Sequence, residues 1–181
     1  MTRHFFVTLL FSLTTFFGQT QSNLVPINLK TKDSLSVLVS KIAAINVVQS
    51  KHIGIGGTEG ENFKNFEVLK QTATIDELVL LTYNTNNVVA CYAAMALADK
   101  YYKELDAIFK RFIDNKKFVE TQSGCIRLTE KIYYQIYYYY LNKVDNKLKS
   151  SDTILYKLDE IILKSNDSFL KEYARKNRKT K

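Results

Sequence analysis

The sequence predicts an all-α fold, with helices paired into hairpins that stack as a compact α-α superhelix. Three observations predict it. Pro26 is the single proline, and of the 6 glycines Gly54, Gly56, Gly57 and Gly60 fall in one short stretch, so long segments on either side lack backbone breakers. Within those segments apolar residues recur at spacings of three and four, the period of a helix with one buried face. Short polar runs such as Asn84-Thr85-Asn86-Asn87 separate them.

The first 22 residues read as a secretory signal peptide. Arg3 and His4 give a polar, positive start, Phe5 to Phe17 is apolar apart from Thr and Ser, and Gly18-Gln19-Thr20-Gln21-Ser22 is small and polar. The apolar part is shorter than the roughly 20 residues a helical span needs. Cleavage after Thr20 or Ser22 and export to the periplasm, cell envelope or exterior are therefore expected. No later stretch is long and apolar enough to suggest a span.

Residues 23–33, with Pro26, read as an extended leader, 34–170 as one helical domain, and 171–181 as a basic C-terminal tail. The mature length suits a single domain with a real hydrophobic core. The formal charge is +8, but Lys171, Arg175, Lys176, Arg178, Lys179 and Lys181 against Glu172 place most of it in the tail. The folded body carries only a small positive excess, so nucleic acid is not an expected partner. Polyanion binding, if any, belongs to the tail.

The first helix is expected over 34–50, with Asp33 or Ser34 as cap and Leu35, Leu38, Ile42, Ile45 and Val48 on one face. A glycine-rich loop over 51–61 follows, then a short amphipathic helix over 62–72 presenting Phe63, Phe66 and Leu69. Thr74-Ile75-Asp76-Glu77 fits a capping box, in which hydroxyl and carboxylate satisfy opposite ends of the same first turn. It opens a helix to Tyr83. Ala90, Ala93, Ala94 and Ala98 give the next helix, over 88–101, a face that allows close approach, and 105–113 is its partner. A turn over 114–117 leads to a short or irregular helix over 119–128 and a long one over 129–144. Asp152 caps a helix over 153–164, where Ile154, Leu155, Leu158, Ile161 and Ile162 form a stripe, and Asp167 or Ser168 starts the last helix.

The run Asn84-Thr85-Asn86-Asn87-Val88-Val89-Ala90-Cys91-Tyr92-Ala93-Ala94-Met95-Ala96-Leu97 is a polar turn, a Val pair and an Ala-rich helix ending in Ala-Leu. With the Asp-terminated helix after it, this segment is similar to a HEAT repeat over residues 75–114. It lacks the proline often found in that turn, and an alanine stands where such repeats often carry arginine. Cys125 lies 34 residues after Cys91, near a repeat spacing, so 119–144 resembles a degenerate second unit. With His52-Ile53-Gly54-Ile55-Gly56-Gly57 before the repeat and Ser123-Gly124-Cys125 after it, the chain also resembles small exported bacterial helical proteins. That resemblance implies an architecture and no activity.

Few residues carry a chemical argument. His4 and His52 are the only histidines, and His4 leaves with the signal peptide. Neither a His-rich zinc site nor paired cysteine ligands can be assembled, so no metal or cofactor is expected. A nucleophile would need Cys91 or Cys125 as a thiolate within hydrogen-bond range of His52. Cys91 among Ala and Val reads as a small buried hydrophobe, and Cys125 after Gly124 is the more exposed thiol. Export would favour a Cys91–Cys125 disulfide. Equivalent positions on adjacent repeats, however, stand roughly 8–10 Å apart, whereas a bridge needs Cα atoms within about 7 Å. The bridge therefore depends on 119–128 breaking that equivalence. The paired carboxylates Asp76-Glu77 and Asp159-Glu160 have no convergent partner, so no catalytic residue is assigned.

Two features remain. In the loop containing His52, Gly54, Gly56, Gly57, Glu59, Gly60 and Glu61, glycine amides could face an anion at a helix start. Glu59 and Glu61 would repel one, and a helix connector needs the same glycines. Tyr133, Tyr134, Tyr137, Tyr138, Tyr139 and Tyr140 crowd one helix. Tyr133, Tyr137 and Tyr140 share a core face, which leaves Tyr134 and Tyr138 as a candidate partner face, since tyrosine joins an apolar body to a polar tip. The leading expectation is a non-enzymatic interaction or scaffold module with a protein partner. The alternatives are a small-ligand binder or enzyme centred on the His52–Glu61 loop, and polyanion binding through the tail.

Overall fold

The computed structural model describes residues 29–179, with side chains over 33–176. The predicted signal peptide, leader residues 23–28 and the last two residues lie outside them. The chain folds as α+β, which corrects the all-α expectation. It begins with α1 (Leu29–Ile45), β1 (Val48–Ile53), β2 (Thr58–Glu59), α2 (Glu61–Thr72), α3 (Ile75–Leu81) and α4 (Asn87–Asp99). It continues with α5 (Leu105–Asn115), β3 (Phe118–Gly124), β4 (Ile126–Lys131), α6 (Ile132–Lys143), α7 (Thr153–Lys164) and α8 (Ser168–Lys179).

The strands form one mixed sheet in the order β2-β1-β3-β4. β1 runs parallel to β3, with Val48 opposite Thr121 and Gln49 opposite Gln122. The two outer pairs are antiparallel hairpins. Helical stacking fails at two places, each for a local reason. The helix expected to reach Ser50 ends at Ile45, because Asn46 adopts a left-handed conformation with φ 52°, which asparagine tolerates better than most residues. Val48, which shares the helical spacing of Ile42 and Ile45, is instead a buried strand position. The stretch expected as an irregular helix over 119–128 is the β3–β4 hairpin. Val119 and Thr121 alternate as buried positions with exposed Phe118 and Glu120, the period of a half-buried strand. Gly124, at φ 55°, starts the two-residue turn between Ser123 and Ile126, where glycine supplies the positive φ.

The core is organised around α4, whose residues Val88–Ala98 are all buried. A helix that is apolar all round has no solvent face to offer. Its alanines let α2, α3, α5 and α6, and strands β1 and β3, approach it. Asn86 caps it, its side-chain oxygen accepting the N–H groups of Val88 and Val89 at 3.0 and 3.1 Å. The Thr74–Glu77 capping box forms on α3 as the sequence predicts. α1 starts at Leu29, inside the segment expected as an extended leader.

The tyrosines of α6 tie that helix to its neighbours through aspartates. Tyr137 donates to Asp159 of α7 at 2.7 Å, Tyr139 to Asp99 of α4 at 2.9 Å, and Tyr140 to Asp152 at 3.1 Å. Tyr133 and Tyr134 both donate to Asp167 at 2.8 Å, and the Lys131 ammonium pairs with the same carboxylate at 2.8 Å. Asp167 also accepts the Leu170 N–H at 3.0 Å. It therefore fixes the first turn of α8 against α6, where Leu170 and Ala174 are fully buried.

Candidate functional site

The most promising concavity is a cleft of about 370 Å³ between the sheet, α2 and α6, with α4 beneath. Phe66, Tyr92 and Met95 form its floor, and Phe63, Tyr138 and Tyr139 stand in its walls. The floor is rigid. Phe66 stacks on Tyr92 with ring centroids 4.8 Å apart and meets Tyr139 edge-on at 5.7 Å, both favoured aromatic geometries. Tyr139 is further held by its bond to Asp99. Burial raises the pKa of the Tyr139 hydroxyl, and the Asp99 carboxylate adds to the rise, so Tyr139 is a fixed neutral donor.

The sheet supplies the polar wall. The Gln49 N–H donates to the Tyr92 hydroxyl at 2.8 Å, and the Gln49 side-chain oxygen accepts the Asn62 N–H at 2.8 Å. Asn62, fully buried, donates in turn to the Val47 carbonyl at 2.7 Å. This network ties β1 to α4 and to the start of α2, and so sets the depth of the cleft. Gly60, the residue before α2, lies so close that a Cβ there would stand 2.9 Å from the Ser50 carbonyl oxygen. On β4, Glu130 accepts from Thr121 at 2.9 Å and from Gln135 of α6 at 2.8 Å, both on Oε2. An aromatic floor with a few convergent polar groups is the composition of a small-molecule site.

A second cavity of about 370 Å³ lies at the start of α4, bordered by Asn46, Thr85, Asn86, Asn87, Glu120 and Thr129. Its polar groups already bond one another: Asn86 to Asn46 and Asn87 to the Phe118 carbonyl at 2.9 Å, Thr129 to Glu120 at 2.8 Å. It lacks the aromatic floor and is the poorer candidate.

The residues singled out by sequence lie mostly outside the cleft. The glycine loop is the β1–β2 hairpin, with Gly54 and Gly57 at φ 70° and 63°. Three of its four glycine amides are occupied: Gly54 N–H bonds the Gly124 carbonyl at 2.8 Å, Gly57 bonds Gly54 at 3.3 Å, and Gly60 bonds Lys51 at 3.1 Å. His52, Gly56, Glu59 and Glu61 are exposed. The His52 ring lies 3.1 Å from the Gly57 carbonyl, and His52 borders none of the cavities described above. Of the loop expected over 51–61, only Lys51 lines the cleft.

Cys91 and Cys125 are free thiols, one inside α4 and one on the β3–β4 turn. Burial raises the pKa of the Cys91 thiol strongly, with the charge of Glu130 adding to it, which leaves no reactive thiolate there. Tyr134 and Tyr138 are partly buried and packed against Phe169 and Tyr173 of α8, at 5.9 and 5.5 Å between ring centroids. α8 thus occupies much of the face that the sequence offers to a partner, while Tyr138 also borders the cleft. The basic residues 171–179 stand on α8. Among the described residues no helix is long and apolar enough to cross a membrane, and no group of His, Cys, Asp and Glu is placed to hold a metal ion.

Sequence reasoning missed Gln49, Phe66, Tyr92, Glu130 and Gln135 as site residues. Their convergence depends on the parallel pairing of β1 with β3, which no local pattern announces. Compared with protein families, characterised proteins and solved structures, the chain gives no match.

Proposed function

We propose that the protein is a small-ligand-binding module whose site is the cleft between the sheet, α2 and α6. The observation that carries this reading is the Phe63, Phe66, Tyr92 and Tyr139 cluster lining one cleft together with the polar groups of Gln49, Gln122, Glu130 and Gln135. An apolar ligand body covered by those rings would leave water, while the polar wall would fix its orientation. The reading is one of binding and not of chemistry: the nearby Cys91 thiol is held protonated by burial.

The test is a titration of the isotope-labelled protein with 4-phenylbutan-1-ol, followed by amide chemical shifts. Shifts confined to Ser50, Phe63, Gln122, Gln135 and their neighbours support the cleft. Saturable shifts that cluster elsewhere, or none at millimolar probe, contradict it.

One feature favours a second reading, the interaction module. β4 is an outer strand of the sheet, and its Ile126 and Leu128 are 63% and 55% exposed. An open strand edge bearing apolar side chains can be extended by a partner's strand. Leu128→Lys would weaken such an association while leaving the probe's binding in the cleft unchanged.

A further inference from the structure

We infer that the cleft's ligand is a small organic cation, an amine or quaternary ammonium on an apolar body, with Glu130 facing the charge and the aromatic walls taking the rest. This rests on the reading of the cleft as a ligand site and adds the chemistry of what it holds.

Glu130 is the only carboxylate that lines the cleft among the described residues. Thr121 and Gln135 both bond its Oε2, which orients the group and leaves Oε1 without a bond to any described residue. A partly buried carboxylate oxygen of this kind favours a charged donor, because a charge-assisted hydrogen bond offsets its lost hydration. The Glu130 charge is felt within the fold: after burial, and after nearby tyrosines in the second case, it helps raise the pKa of Cys91 on α4 and Tyr138 on α6.

The rings suit the same ligand. Phe63 is inclined 59° to Phe66, and Phe66 is inclined 82° to Tyr139, so aromatic surfaces meet at large angles instead of forming one flat wall. Cations are drawn to ring faces within about 6 Å. This cluster already holds one on Phe66, where the Lys70 ammonium stands 5.2 Å from the ring centroid. Lys51, the one basic residue of the lining, is exposed on β1 and separated from β4 by β3. By the strand register it lies level with the Ser123–Ile126 end of the hairpin, several residues along the sheet from Glu130, and leaves the Glu130 end to a cation.

The test titrates the full chain with 4-phenylbutylamine, 4-phenylbutan-1-ol and 4-phenylbutyrate, reading affinity and amide shifts, and repeats the series on Glu130→Gln. The amine is expected to bind about tenfold tighter than the alcohol, the size of one hydrogen bond to a charged group, and the acid weakest. Glu130→Gln should bring the amine and the alcohol to equal affinity, and a cooperative thermal melt shows that the variant is folded. Equal binding of amine and alcohol at the cleft, or tightest binding of the acid, overturns the cation inference and leaves the ligand site standing. If none of the three moves the cleft amides, the ligand site itself is overturned.

Discussion

The Tyr92 hydroxyl, inside the central helix, accepts the backbone N–H of Gln49 at 2.8 Å, joining the middle of α4 to the second residue of β1. This contact couples the most legible helix of the sequence to its least legible strand. Tyr92→Phe would leave the Gln49 N–H buried without a partner, at a cost of about 1–3 kcal/mol. Chemical denaturation should show that loss with an unchanged slope. A stability equal to that of the parent would mean that β1 does not sit on α4 in this way.

Gly60 and Gly56 are predicted to respond oppositely to the same substitution. A Cβ at Gly60 would stand 2.9 Å from the Ser50 carbonyl oxygen and 3.0 Å from the Gln49 Cβ, whereas a Cβ at Gly56 meets nothing within 4 Å. Gly60→Ala should cost about 1–3 kcal/mol through overpacking of β1 against α2. Gly56→Ala should change stability by less than about 0.5 kcal/mol. Thermal melts of the pair check this, and equal shifts would refute the close approach.

Asp167 makes the docking of α8 sensitive to acid. Burial alone would raise its pKa, but the Leu170 N–H, Lys131 and the Tyr133 and Tyr134 hydroxyls outweigh it and bring the carboxyl down to about 2. An unfolded aspartate titrates near 3.9, so the folded state binds fewer protons between those values. The stability this provides is complete above about pH 4 and is lost as pH falls toward 2. Amide exchange at Leu170 and Ala174, corrected for its intrinsic pH dependence, should accelerate over that interval. Asp167→Asn should show the loosening already at pH 7 and remove the pH dependence. An identical profile in both proteins would contradict the role of the carboxylate.

What the sequence could reveal divides along local and non-local lines. The Thr74–Glu77 box, the Asp152 cap and the alanine face of α4 each act within a few residues, and each forms where the pattern places it. The β3–β4 hairpin was locally encoded as well. Phe118-Val119-Glu120-Thr121 alternates, and Gly124 stands between two runs of β-forming residues, a hairpin signal that the helical rhythm of the neighbouring segments overshadowed. The pairing of β1 with β3 has no such signature. Val47 and Val48 extend the apolar spacing of α1, and only the backbone of Asn46 breaks it. Because the cleft lies across that pairing, its residues could not be grouped from the sequence. The tyrosine cluster was visible, but its aspartate partners, Asp99, Asp152, Asp159 and Asp167, come from four separate parts of the chain.

Ser123 lines the cleft yet is exposed, so its replacement by a large side chain should block the site without opening the core. Ser123→Trp is expected to weaken binding of 4-phenylbutan-1-ol about tenfold or more by filling the space its ring would occupy. Stability should change by less than about 0.5 kcal/mol. Unchanged affinity would move the binding site elsewhere.

A crystal structure of the protein with 4-phenylbutylamine bound would show whether the cleft holds the ligand. The phenyl ring should lie against Phe63, Phe66 and Tyr139, with the ammonium at hydrogen-bond distance from Glu130. Density for the amine at the start of α4, along the β4 edge or on α8, with the cleft filled only by water, would contradict that placement.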